Sequence, residues 1–403
     1  MSLGSSPLKI RRKLWLKVHL WLGLTMGLLL SIYGISGSLL VFHAEINEFL
    51  HPEILVVDVP NHPNYKPLVD IFTAGRKNMS AKAIQTFVTF PRNEHAAFQL
   101  VFSLDDENGV TQRWLVGVNP YNAQLTGKQL LGVSTDILPR RFIDFVFELH
   151  YALLLPWSIS SPIVALSGML LIISTLTGLI VWWPLTGRWR QALAFKTGTG
   201  KIRLNYELHR LSGFYTLIIM IPVLFSGVYM VAPQHVVPLI EMFSPVTYRY
   251  WFKSLSPDYK KEMIDMEQAV AIAIKQYPNG SPNIIYGATE PTKTYMVCLD
   301  GVDVPGSILE RRCTVIDSFN GKVLDLDDPS LPNATAGEIF THWQWPLHSG
   351  QAFGMTGRVL IFITGLICPI LFATGIIRWS QKRKALKTKN DFAIRQTRPS
   401  PPG

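Results

Sequence analysis

Four stretches of this chain, residues 18–42, 162–183, 211–232 and 359–377, contain no Lys, Arg, Asp or Glu. Each approaches or exceeds the roughly 20 apolar residues that cross about 30 Å of hydrocarbon. Backbone in lipid must satisfy its own polar groups, so single runs of this kind fold as helices, and four of them predict a helical membrane protein. Pro222 and Pro369 fall inside the third and fourth runs and predict kinks there. The first run follows a basic segment, but it is too long for a cleaved leader and lacks a small-residue cleavage site. It reads as a retained anchor. A composition of 48% hydrophobic and 16% charged residues agrees, leaning away from a soluble enzyme.

Charge sets the expected orientation. Segments 1–17, 184–210 and 378–403 hold 19 of the 38 Lys and Arg residues against two acids, Glu207 and Asp391. By the bias of basic residues toward the cytoplasm, both termini and the 184–210 loop lie inside. The net charge of +10 is thus a topology signal and points to the lipid bilayer, with no nucleic-acid partner. The expected order is a cytoplasmic tail 1–17, a span 18–42, an outer segment 43–161, and a span 162–183. A cytoplasmic loop 184–210, a span 211–232, an outer segment 233–356, a span 357–379 and a basic tail 380–403 follow. Cys298 and Cys313 lie on strand-like runs, Tyr295–Leu299 and Arg312–Ile316, where an exported hairpin could bridge them. Whether the strands align is not readable from the sequence.

The two halves carry the same marks. His19 is followed by Gly23 and Gly37, and His209 by Gly213 and Gly227, so both read His-x3-Gly-x13-Gly. Eighteen residues make five whole helical turns, which puts the histidine and both glycines on one face. Such a face, with an imidazole and little bulk, suits a flat metal-centred cofactor. A second histidine follows each outer segment. His150 lies 28 residues before Gly178 and His348 lies 27 before Gly375, in the related endings Thr177-Gly178-Leu179-Ile180 and Thr374-Gly375-Ile376-Ile377. Each outer segment begins with an amphipathic run (Pro67–Lys77; Met266–Gln276) and continues in alternating strand-like runs such as Ala83–Phe90, Ala97–Leu104 and Arg113–Val118. The predicted fold is membrane α-helical, with four transmembrane helices in two parallel repeats and two small α+β domains outside.

Topology turns the histidines into a geometry. His19 and His209 begin outward-going spans and pair at the inner face; His150 and His348 precede inward-going spans and pair at the outer face. Two imidazoles per metal leave four positions for a porphyrin, which predicts two haems, a path for electrons across the bilayer. Gly37 and Gly227 reach the outer level, about 27 Å along their helices, where the second porphyrin needs room. Candidate cations for its propionates are Arg140, Arg141 and Arg358 at the outer pair, with Arg203 and Arg210 at the inner. His43, off the proposed face, is a reserve outer ligand.

These residues resemble the PepSY-associated transmembrane family, in its iron-regulated, FoxB-type siderophore-reductase branch. The resemblance rests on Val18-His19-Leu20-Trp21-Leu22-Gly23, Glu148-Leu149-His150, Thr177-Gly178 through Trp182-Trp183-Pro184, Glu207-Leu208-His209-Arg210, and Pro346-Leu347-His348-Ser349-Gly350 with Gly357-Arg358. It implies a bacterial inner-membrane protein with two periplasmic PepSY-like domains and two haem b groups on His19, His209, His150 and His348. Electrons would pass from a quinol or cytoplasmic reductase to a periplasmic ferric siderophore, releasing Fe(II). No strand is followed by a Gly-x-Gly-x-x-Gly fingerprint, so no bound flavin or nicotinamide is expected. Two other readings compete: a cofactor-free PepSY sensor or protease-inhibitory module, and a small-solute (siderophore) permease.

Overall fold

The computed structural model describes residues 7–185, 187–195, 200–247, 252–254, 262–289, 291–302 and 309–397. The helices that matter below are α1 (Pro7–Val41), α2 (Leu68–Lys77), α3 (Phe142–Ala152), α4 (Trp157–Trp182), α5 (Lys201–Val231), α6 (Met266–Gln276), α7 (Gln344–Ser349) and α8 (Gly354–Thr397). The chain divides into two compact units. One holds residues 1–41, 146–236 and 347–403; the other holds 42–145 and 237–346.

The first unit is a helical bundle built from α1, α4, α5 and α8, each long and apolar enough to cross a membrane. Its burial is inverted relative to a soluble bundle. Ser31, Ser36, Ser167, Ser174, Thr216 and Ser226 are buried, whereas Leu28, Ile35, Leu166, Ile173, Ile218, Ile363 and Ile370 are exposed. Apolar side chains gain nothing by leaving lipid, so small polar residues take the interior, where they hydrogen-bond backbone and let helices approach closely. Gly34 of α1 and Gly365 of α8 show that approach: a Cβ on either would sit within 2.5 Å of the other's carbonyl oxygen. Together with the family reported below, this makes the chain a multi-pass membrane protein, with the bilayer as its partner. Helices α1 and α5 each pack against both α4 and α8, so they face one another across the bundle. All four helices outrun the apolar runs that announced them, α4 only by starting at Trp157. Helix α1 begins at Pro7, α5 at Lys201, and α8 continues to Thr397 through most of the expected basic tail.

The second unit is one antiparallel sheet in the order β4-β3-β2-β1-β5-β6-β7-β8. Residues 43–161 supply β1 (Ile84–Thr89), β2 (Phe98–Asp105), β3 (Thr111–Val118) and β4 (Leu125–Val133). Residues 233–356 supply β5 (Ser281–Tyr286), β6 (Thr294–Asp300), β7 (Arg312–Asp317) and β8 (Val323–Asp327). Both segments follow the helix-then-strands order read from the sequence, yet they are joined. Strands β1 and β5 pair through Phe87 with Tyr286, Val88 with Ile285 and Thr89 with Ile284. A single core runs through both segments, from Ile71, Phe98 and Leu100 to Val270, Val297 and Leu299. Each four-stranded meander alone leaves an open edge of unpaired N–H and C=O groups, and the β1–β5 pairing closes both. Cys298 and Cys313 stand opposite each other on β6 and β7 and are disulfide-bonded.

Candidate functional site

The four histidines come together in the bundle unit as two pairs. His19 on α1 and His209 on α5 extend from facing helices, with ring centroids 6.3 Å apart and planes inclined at 66°. His150 on α3 and His348 on α7 stand 6.0 Å apart, inclined at 64°. A metal bound by one nitrogen of each ring at about 2 Å, with that nitrogen roughly 1 Å from its centroid, puts the centroids about 6 Å apart. Both pairs match that spacing.

Hydrogen bonds fix which nitrogen faces the partner. His19 Nδ1 lies 2.9 Å from the Ser174 carbonyl of α4. His209 Nδ1 lies 3.1 Å from the Leu371 carbonyl and 2.9 Å from Thr374 Oγ1, both on α8. His348 Nδ1 reaches the Val223 carbonyl and Ser226 Oγ, each at 3.0 Å. A carbonyl only accepts, so Nδ1 carries the proton in these three. His150 Nδ1 meets Ser36 Oγ at 3.0 Å, and that hydroxyl already donates to the Ile32 carbonyl at 2.6 Å, so it accepts here too. All four rings therefore hold the proton on Nδ1 and keep the Nε2 lone pair, the arrangement that orients a metal-ligating imidazole. Burial, reinforced by the neighbouring His348, pushes His150 down to about 3, and burial pushes His348 down to about 4. Both rings are neutral, as ligands must be.

Each ring lies against a glycine of another helix. A Cβ at Gly178 would meet His19 Cε1 at 2.9 Å, one at Gly37 would meet His150 Cε1 at 2.9 Å, one at Gly227 would meet His348 Cε1 at 3.3 Å, and one at Gly375 would meet His209 Cε1 at 3.5 Å. Gly37 and Gly227 thus make room for the rings of the second pair, where the sequence suggested room for a porphyrin. Gly23 and Gly213 sit one turn beyond His19 and His209. Nothing lies within 4 Å of a Cβ at Gly23, and only Leu371, at 3.5 Å, at Gly213. The sequence reading missed Ser36 and Ser226 as acceptors, although the repeated Ser36-Gly37 and Ser226-Gly227 dipeptides carried the signal.

The proposed propionate cations fare differently. Arg358 spends its fork on the Val41 carbonyl, Nη2 at 2.8 Å and Nε at 3.2 Å. Arg140 is bidentate to Asp136. Arg210 donates to the carbonyls of Ala192 and Ala194 and, with Arg203, pairs with the fully buried Glu207. Arg141, in the sheet unit, is buried with Nε and Nη2 in no hydrogen bond among the described residues. His43, itself exposed, opens a short half-buried helix in the same unit. The residues present fit a haem: two neutral imidazoles at axial spacing supply two ligands. Among the described residues no cluster of three His, Cys, Asp or Glu supplies more.

No curated protein matches this chain. The model of the PepSY-associated TM region family matches residues 16–382, and the protein belongs to that family.

Proposed function

We propose that this protein is a dihaem b-type oxidoreductase of the bacterial inner membrane, passing electrons from a quinol or cytoplasmic reductase to a periplasmic ferric siderophore. The reading rests on one observation above the rest: two histidine pairs at metal-binding spacing, every ring held through Nδ1 by an acceptor on a neighbouring helix. Matched contacts support a duplicated unit in which α1 with α4 corresponds to α5 with α8, and the two parts of the sheet to two PepSY-like modules. Ser36 serves His150 as Ser226 serves His348, and Gly178 meets His19 as Gly375 meets His209.

Bound haem supplies a low-spin centre that takes and gives one electron without changing its ligands. The chain's own work is positional. His19 and His209 would hold the group nearer the expected donor side and His150 and His348 the group nearer the acceptor, while the Nδ1 acceptors stop the rings turning. Each ferric ion takes one electron, so a quinol delivering two electrons reduces two complexes and leaves two protons at the donor side. Siderophore oxygens are hard ligands that hold Fe(III) far better than Fe(II), so this single electron releases the metal.

The test is a reduced-minus-oxidised visible spectrum of the purified protein with haem counted per chain. Two b-type haems are expected, falling to one in His19→Ala and to one in His348→Ala. Protein made with ample haem that carries none sinks this reading and favours the cofactor-free module or the permease.

A further inference from the structure

One helical turn from His209 lies a basic cavity that the electron path does not use. It measures about 700 Å³ and is bounded by Gly200, Lys201, Ile202, Arg203, Tyr206 and Arg378. Tyr206 precedes His209 by three residues on α5, and Arg378 follows Gly375 by three on α8. The cations gather on one ring: Arg378 Cζ stands 4.5 Å from the Tyr206 centroid and Arg203 Cζ 5.4 Å. Like charges converging this closely at the edge of a low-dielectric bundle repel one another unless an anion sits between them.

The chain offers little to neutralise them. Glu207 is the only acid in segments 184–210 and 378–388. It is fully buried, and Arg203, at 2.5 Å, and Arg210 share it. Among the described residues neither Lys201 nor Arg378 has a carboxylate partner. Helix α5 starts at this cavity, with Gly200 at its N-cap and no side chain capping it, so its first N–H groups add to the positive field. Apolar side chains run on from the cations along the same two helices: Ile202, Leu204 and Leu208 on α5 and Ile376 and Ile377 on α8 are all exposed. Positive charge at the end of membrane-spanning helices, continuing into exposed apolar side chains, matches a ligand with a phosphate at one end and acyl chains at the other.

We propose that the cavity formed by Lys201, Arg203, Tyr206 and Arg378 binds the phosphate of an anionic phospholipid headgroup. The acyl chains lie along α5 and α8, and the lipid ties together the helix ends that carry His209 and its acceptors Leu371 and Thr374. The inference does not depend on whether the histidine pairs hold haem.

The experiment is thermal unfolding of the full-length protein in detergent, titrated in parallel with phosphatidylglycerol, phosphatidylcholine and inorganic phosphate. Wild type is stabilised by phosphatidylglycerol at concentrations where phosphatidylcholine does little. Removing one cation weakens the apparent affinity roughly fivefold and removing two roughly thirtyfold, from the usual attraction of a basic side chain to an anionic lipid surface. Arg378→Gln combined with Lys201→Gln therefore loses the phosphatidylglycerol preference, with an unchanged midpoint in phosphatidylcholine showing that it still folds. Arg378→Lys keeps most of it. Equal stabilisation by both lipids, or a double variant that still prefers phosphatidylglycerol, overturns the proposal. Inorganic phosphate matching phosphatidylglycerol at equal concentration also overturns it, in favour of a soluble phosphate ligand.

Discussion

At the scale of single residues, the histidine pairs are held by space as much as by hydrogen bonds. The glycine contacts are not equal, and that inequality is testable. A methyl group at Gly37 or Gly178 lands 2.9 Å from a ring carbon, nearer than a real Cβ comes, whereas at Gly375 it makes an ordinary contact at 3.5 Å. Gly37→Ala and Gly178→Ala should therefore push His150 and His19 off their positions, at the usual overpacking cost of about 1–3 kcal/mol. Each variant should lose most haem from one pair, and Gly375→Ala should keep both; haem content and the reduced spectrum read the difference. The acceptors give a second graded series. Ser36 is the hydroxyl that holds His150, so Ser36→Ala should weaken binding at that pair by roughly tenfold or more. Thr374→Val removes the matching hydroxyl beside His209, where the Leu371 carbonyl also accepts. Competition with a haem-scavenging apoprotein ranks the two. The histidines and Gly37, Gly178, Gly227 and Gly375 were legible in the sequence because duplication printed them twice. Which glycine serves which ring was not, since that depends on how α1, α4, α5 and α8 pack.

At the scale of elements, hydropathy announced the four long apolar helices but not where each one begins. The apolar run beginning at Val18 marks the thickness of hydrocarbon, while α1 begins at Pro7, because Lys and Arg favour helix as readily as Leu does. The strands of the sheet unit were readable from alternation, with β2 observed at Phe98–Asp105 against a run of Ala97–Leu104. Their partners were not. The pairing of β1 with β5 joins residues nearly 200 positions apart, and only the unsatisfied edges of the two meanders call for it. The disulfide belongs to this scale, since sequence showed two candidate strands and structure shows their register. Cys298 and Cys313 are 15 residues apart, a separation for which closing the loop stabilises a fold by about 3 kcal/mol. Replacing both by Ala should lower the denaturant resistance of the sheet by about that much and leave haem per chain unchanged. Haem loss in that variant would tie the sheet to the cofactor sites in a way no contact within the bundle unit suggests.

At the scale of the whole molecule, direction is the property that decides what the protein can do, and it rests on charge. Cations concentrate in 1–17, 184–210 and 378–403, while the rest of the chain carries more acids than bases. If electrons leave on the periplasmic side, the sheet unit must be periplasmic and the 184–210 loop cytoplasmic. Single cysteines separate the two orientations cleanly, because the native thiols are withdrawn: Cys298 and Cys313 are bonded to each other and Cys368 is buried. Asn108, exposed in the turn between β2 and β3, and Gln191, exposed on the short helix Trp189–Leu193 before α5, probe the expected outer and inner sides and alter no charge. In spheroplasts a membrane-impermeant maleimide should label Asn108→Cys at once and Gln191→Cys only after the membrane is opened. The reverse pattern would put the His150/His348 pair on the cytoplasmic side. Electrons would then have to run inward, and a periplasmic ferric siderophore could not be the acceptor, however well the two histidine pairs bind haem.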